Sequence, residues 1–395
     1  MLTRTWGVQH VEAIEDAAQA ALVTALETWS HHTLPDNPSA WVYRVAYNHL
    51  AGDLRQQSSR RKLLEQNKAQ AHLPETSEPE VFLAGEVKDA LLRMLFVCCD
   101  EAIPEESRLV FALKILCGFS VPEIAIRLFM SEANVYKRLS RARNKLKTQT
   151  SELAELSLSQ CVSRLPAVNK VLYLLFTEGY FSSHTEQALR LELCREAIRL
   201  TTLLAESPVG NSPTTFALLA LMHLHSARMK ARQDSSGGLL LLEEQDRSLW
   251  DTTEIERGMN WLARSAQGEV YSRYHAEAGI AAEHCLAPSF QETHWGRVVS
   301  CYSALEKVAP SPIHRLNRAV AVAEWKGPRA GLQVLQDFEP PTWLAGSYLW
   351  AAVLADLHRR CGNTEEATRY KESALQLAPT TAMKELLLRR LESDT

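Results

Sequence analysis

The sequence predicts an all-α protein, and three observations carry that prediction. Apolar residues return at steps of three and four along most of the chain. Between Gly118 and Lys147 a short helix, a tight turn and a second helix follow one another, the second with one apolar and one basic face. From Leu165 onward helix follows helix, as in PAVNKVLYLLFTEGYF, EQALRLELCREAIRLTTLLAE and TTFALLALMHLHSARMKAR.

Composition sets the frame. A chain of 395 residues is long enough for two to three domains with real cores. Apolar residues make up 46% and charged ones 23%, ordinary values for a soluble protein. No apolar run approaches the roughly 20 residues of a membrane span, and the N-terminus has no signal-peptide pattern. A cytoplasmic protein with no membrane partner is expected. The eight Cys are scattered, with only Cys98 and Cys99 adjacent. They sit among Leu, Val and Phe, which predicts buried thiols rather than disulfides or metal ligands.

The first segment runs to about residue 62. A helix starting near Val11 has Ile14, Ala18, Leu22, Ala25 and Trp29 on one face, with Glu15, Asp16 and Gln19 exposed. HHTLPDNPSAW then stops the helix and sets a turn. A second helix begins after Pro38 with Ser39 placed to cap it. Val42, Val45, Ala46 and Leu50 face inward; Arg44, Tyr47, Asn48 and Arg55 face outward, and the helix ends in the basic cluster Arg60, Arg61 and Lys62. Trp41 and Tyr47, interleaved with Arg and Asn, could stack unpaired bases or serve as core aromatics. Residues 63–85 have little hydrophobic period and read as a tether. Helicity resumes at Val87 with Leu91, Leu95 and Val97, and Pro104 opens a helix whose core residues are Val110, Leu113 and Leu116.

The helix-turn-helix comes next. Val121, Ile124, Ala125 and Leu128 form the apolar side of its first helix. Ser131 suits the N-cap of the second, and Glu132 suits the positive end of the helix dipole. Val135, Leu139, Ala142 and Leu146 make one apolar stripe, while Asn134, Lys137, Arg138, Arg141 and Lys145 share an adjoining face. From Ser131 to Lys147 six Lys or Arg stand against one Glu, in a chain whose total charge is −4. One packed face and one basic, amide-bearing face are what a major-groove reader needs.

EDAAQAALVTALETW, PDNPSAWVYRVAYNHLAGDLR, the tether and this helix-turn-helix resemble an extracytoplasmic-function sigma factor of the sigma-70 family. The resemblance implies a region 2 domain over 1–62, a linker over 63–85 and a region 4 domain over 86–150. It implies RNA polymerase and promoter DNA as partners, through the β′ clamp helices and the β flap. By position, Asp16, Gln19, Leu22 and Leu26 would face the clamp helices. The loop with Thr33, Asp36 and Asn37 would hold a flipped-out promoter base, and Asn48, Asp53 and Arg55 would follow the melted strand. Ala133, Asn134, Tyr136, Lys137, Arg138, Ser140 and Arg141 would meet the upstream element. Tyr136 stands where the family often has a basic residue, so a different base sequence is expected there. Family members have about one more helix ahead of the clamp-facing one, so the first domain is expected to be short at its N-terminus.

An ordinary member of that family ends near residue 150, and this chain continues. Leu354, Gly362, Ala367, Ala374 and Pro379 fall at tetratricopeptide offsets, and Ala319, Ala323 and Gly327 mark a degenerate copy with each at a helix contact. Residues 151–395 are therefore expected to be a tetratricopeptide-like stack of helix pairs that binds a protein or peptide partner or restrains the front of the chain. LPAVNKVLYLLFTEGY, LLEEQDRSLWD and PSPIHRLNRAVAVAEWKGPRAGL extend the resemblance to sigma factors with such an extension. The acids of LLEEQDRSLWD, Glu243, Glu244, Asp246 and Asp251, could be catalytic with Arg247 as an anion clamp. The preferred reading has them tie a loop to its neighbours, with Trp250 buried. No Gly-rich phosphate loop, HExxH or GxSxG accompanies them, so neither an enzyme nor a cofactor is expected. His223 and His225 point to different helix faces, and His275, His284 and His294 are dispersed, so no metal is expected either. A second class stays open: a helical-repeat adaptor whose sigma-like front does not engage polymerase.

Overall fold

A computed structural model describes residues 2, 6, 10–31, 34–35, 37–64, 92–115, 117–128, 130–148, 158–180, 189–234, 238–379 and 381–392. Its named elements are helices, and Gln233 with Leu239 forms an isolated β-bridge. The backbone divides into two compact units, Met1–Val168 and Asn169–Thr395.

In the first unit α1 (Val11–His31) packs on α2 (Pro38–Leu64). The buried stripe of α1 is Ile14, Ala17, Ala21 and Ala25, seated against Ala46 and Leu50. Leu22, expected in that stripe, is 54% exposed, and Ala18 is only half-buried. Alanines let two helices approach closely, so the small residues take the contact and the larger Leu22 is left outside. The cap of α2 also differs from expectation. Asn37 Oδ1 accepts from Ala40 N at 3.1 Å, which puts Ser39 inside the first turn. Tyr47, expected outside, is half-buried with its ring 5.7 Å from that of Trp6, and Trp41 lies 5.4 Å from Trp29. Both rings therefore serve the packing of the unit. The side chains of Arg60, Arg61 and Lys62 and tether positions 65–85 lie outside the described residues.

A short helix α3 (92–98) carries buried Leu95, Phe96, Val97 and Cys98. Burial pushes the Cys98 thiol well up and the Cys99 thiol to about 12, and all eight cysteines are free. Val87, Leu91 and Leu116 lie outside the described residues. Then come α4 (Glu105–Ile115), with Val110, Phe111 and Leu113 fully buried, α5 (Val121–Arg127) and α6 (Glu132–Thr148). The division between units falls inside α7 (Leu158–Tyr180), later than residue 151. Its Arg164 reaches Phe96 O at 3.2 Å and pairs with Asp100, which ties this end of α7 to α3.

The second unit is a run of helices that pack on their neighbours in sequence. α8 (Leu191–Glu206), α9 (Pro213–Ser226), α10 (Thr252–Ser265) and α11 (Arg273–Leu286) gather around α9. Every residue of α9 from Thr215 to Leu224 is buried, as expected of a helix apolar all round. α12 (Trp295–Val308), α13 (Pro312–Lys326), α14 (Pro328–Leu335), α15 (Thr342–Ala345), α16 (Tyr348–Arg360), α17 (Thr364–Leu377) and α18 (Thr381–Glu392) follow. α16 and α17 form a tight pair around Gly362, whose φ of 77° suits a residue without a Cβ. Leu354 and Ala374 of that pair are buried, and Ala367 is half-buried.

At the α13–α14 pair the expected contact moves. Gly327 is the turn, at φ 88°, with open space where a side chain would stand. The close approach falls to Gly331, where a Cβ would lie 2.8 Å from both Ala319 O and Ala323 Cβ. Gly331→Ala should therefore cost about 1–3 kcal/mol in urea unfolding. Unchanged stability would mean the two helices are not in this contact.

Candidate nucleic-acid interface

The helix-turn-helix is built from local signals that agree. Gly118, at φ 70°, lets the chain turn out of α4, and Phe119 is buried behind it. Ser120 caps α5 with a full capping box. Glu123 N donates to Ser120 Oγ at 3.3 Å, and Ser120 N donates to Glu123 Oε2 at 2.6 Å. Val121, Ile124 and Ala125 are buried, and Leu128 is half-buried at the turn. Ser131 then caps α6, its Oγ accepting from Asn134 N at 3.4 Å.

α6 sits on α4 and α5 through Val135, Leu139 and Ala142, all buried. The Leu146 side chain lies outside the described residues. With one side fixed, the opposite side must face solvent. Ala133, Asn134, Lys137, Ser140, Arg141 and Lys145 are exposed there, and Tyr136 is 61% exposed. Two cations of the helix are engaged elsewhere. Arg138 is half-buried and pairs with Glu106 of α4. Arg143 Nη2 donates to Glu15 Oε2 of α1 at 3.4 Å. Glu106 is largely exposed, and a surface pair of this kind contributes about 0–1 kcal/mol, so Arg138 is held only weakly.

On α1, Asp16, Gln19, Leu22 and Leu26 share the exposed side, Leu26 being 74% exposed. Val23, which the sequence reading did not single out, adds to this apolar patch. On α2, Asn48 and Asp53 are exposed, and Asn37 commits its side-chain oxygen to the helix cap. Thr33, Asp36 and the side chain of Arg55 lie outside the described residues.

In the second unit three of the four acids of LLEEQDRSLWD make local backbone contacts, and Glu243 is exposed. Glu244 Oε2 accepts from Leu241 N at 2.6 Å, Asp246 Oδ1 from Ser248 N at 2.9 Å, and Asp251 Oδ1 from Glu254 N at 3.2 Å. The last of these caps α10. Arg247 donates to His284 O and Ala287 O at 2.7 Å each, tying the loop to the C-terminal end of α11, and Trp250 is buried. His223 Nδ1 lies 2.7 Å from Glu254 Oε2, and that contact is the first cause of the depressed Glu254 pKa. Among the described residues no group of three His, Cys, Asp or Glu could hold a metal ion.

Comparison with known proteins adds three findings. Residues 93–146 match the sigma-70 region 4 family, which covers the helix-turn-helix. Residues 164–266 match a family of unknown function, DUF6596. The chain is 32% identical over 375 residues to an uncharacterized protein of Rhizobium meliloti, covering 94% of this chain and 87% of that one. No solved structure matches.

Arg141 offers the cleanest test of the exposed face. Arg141→Ala should leave thermal unfolding unchanged and weaken binding to a cognate duplex by ~1–3 kcal/mol if the guanidinium reads a base. If it meets phosphate alone, binding should weaken evenly across sequences and the salt slope should fall by about one. No effect on either quantity would show that this face does not meet DNA.

Proposed function

The chain belongs to the family of this Rhizobium meliloti protein and carries a sigma-70 region 4 domain, and on that premise we propose that it is an extracytoplasmic-function sigma factor with a regulatory helical-repeat extension. It would recruit core RNA polymerase to particular promoters. The chemistry belongs to polymerase, so the chain itself works in the cytoplasm as a specificity subunit and not as an enzyme.

The observation that carries this reading is the two-sidedness of α6. A buried apolar stripe fixes its roll, and that roll turns Asn134, Lys137 and Arg141 outward together. Basic groups hold phosphates without regard to sequence, while Asn and Arg can make bidentate contacts to adenine and guanine edges. The exposed strip Leu22, Val23 and Leu26 on α1 supports the second contact, with the polymerase β′ clamp helices. Apolar side chains gathered on an exposed helix face suit a partner helix. The β flap would be the partner of region 4. The chain's net charge of −4 is compatible with this, because the cations are concentrated on one helix and polymerase contributes affinity of its own.

The second unit would act in cis on the first, or bind a protein or peptide partner along its helix pairs, as tetratricopeptide-like stacks do. The fused arrangement and the succession of packed helix pairs support a regulatory extension of this kind.

Promoter-specific run-off transcription with core polymerase tests the reading. The intact chain should direct initiation, and Leu26→Glu should abolish it and prevent co-purification with polymerase while leaving the melting temperature unchanged. A chain that never co-purifies with polymerase is a helical-repeat adaptor instead. A chain cut after residue 168, which keeps Arg164 with its α3 partners, should alter the level or signal response of transcription; identical behaviour would remove the regulatory role.

A further inference from the structure

The second unit holds a cluster of positive charge, with Arg228 buried and Arg247 half-buried, that the promoter reading does not use. Arg228 and Arg247 both lie over the ring of Trp250, with their guanidinium carbons 5.1 and 4.4 Å from its centroid. Arg228 and Trp250 are more than nine-tenths buried. The contacts of these two arginines are to neutral groups. Arg228 donates to Gln245 Oε1 at 3.2 and 3.4 Å, and Arg247 to the two carbonyls at the end of α11. Among the described residues no carboxylate pairs with either one. Arg232 lies nearby with partners of its own, donating to Tyr180 O with its guanidinium carbon 3.8 Å from the Tyr180 ring centroid. Buried charge of one sign is costly unless it is balanced.

The same neighbourhood contains buried polar atoms without a hydrogen-bond partner. Arg247 Nη2, Trp250 Nε1, His225 Nδ1 and His284 Nδ1 are all shielded from solvent and unbonded. The first two can only donate. The imidazoles are held neutral: burial and the charge of Arg228 drive His225 well down, and burial with Arg228 and Arg247 takes His284 to about 3. A neutral ring can still present an Nδ1 hydrogen. Orphaned donors and guanidinium groups without a carboxylate partner therefore occur together, and both are satisfied by one kind of partner, an oxyanion. Water could occupy the donors but would leave the charge unbalanced.

We propose that the cluster formed by Arg228, Arg247, Trp250, His225 and His284 is a binding site for a small phosphate-bearing ligand. Two guanidinium groups match the charge of a phosphate, about −1.5 to −2 at neutral pH. Its several oxygens can accept from donors that approach from different sides. This places a ligand site at the LLEEQDRSLWD loop, where a bound anion would join that loop to α9 and α11. The proposal is independent of the promoter reading, since neither DNA nor polymerase enters its test.

Thermal unfolding of the full chain in inorganic phosphate, against sodium chloride of equal ionic strength, is the direct experiment. A saturable rise in Tm of about 2–4 °C is expected. Arg228→Gln should abolish the rise, Arg228→Lys should keep part of it, and Trp250→Phe should weaken the apparent affinity severalfold by removing one donor while keeping an aromatic ring. Should Arg228→Gln fail to fold, phosphorus NMR of inorganic phosphate titrated with the wild-type chain and with Trp250→Phe reads binding directly. No saturable response of the wild-type chain would overturn the site. So would an equal response from the variants, which would put the anion elsewhere, or an equal response to acetate, which would exclude phosphate as the class.

Discussion

The seating of α6 on α4 and α5 is the constraint on which the functional reading rests. Val135, Leu139 and Ala142 leave the helix one roll angle about its axis. Burying two such aliphatic side chains contributes roughly 1.5–3 kcal/mol each, more than any single surface charge on the same helix. The apolar side therefore decides where the cations point. The turn before α6 works in the same direction, because the Ser120–Glu123 box and the Ser131 cap fix where each helix begins.

Local signals in the sequence were enough to find this element, and they failed where neighbours distant in the chain decide the outcome. Ser131, Val135, Leu139 and Asn134 can be assigned from spacing alone, because a helix of period 3.6 with a cap leaves few alternatives. Spacing and hydrophobicity place Leu22 in the buried stripe, while the contact with α2 favours the smaller alanines. Asn37 and Ser39 are both plausible caps by type, and only the observed bond separates them. Gly327 and Gly331 are likewise alike by type. The turn takes the first, at positive φ, and the crossing of α13 with α14 takes the second.

Charge pairs were the least legible features. Nothing in the sequence joins Arg143 to Glu15, 128 positions away, or Arg138 to Glu106. Both draw cations of α6 toward the protein, leaving Lys137 and Arg141 as the outward charges of the central turns. The Arg228–Trp250–Arg247 stack is hidden for the same reason: its members come from α9's C-terminal side and from the loop before α10, and only folding brings the two guanidinium groups to one indole. The acids of that loop were easier to interpret. Asp246 and Asp251 each precede a helical turn, which is where a carboxylate stabilises exposed backbone N–H groups.

A crosslink from α6 to DNA tests the account most directly. Tyr136 is an exposed aromatic on the outward side, so replacing it with the photoreactive p-benzoylphenylalanine changes the surface little. Irradiation of this chain with core polymerase and a cognate promoter should join position 136 to double-stranded DNA upstream of the start point. The same replacement at buried Phe119 should give no such adduct. Crosslinks from position 136 to protein alone, in a complex that initiates transcription, would contradict the placement of this helix in the groove.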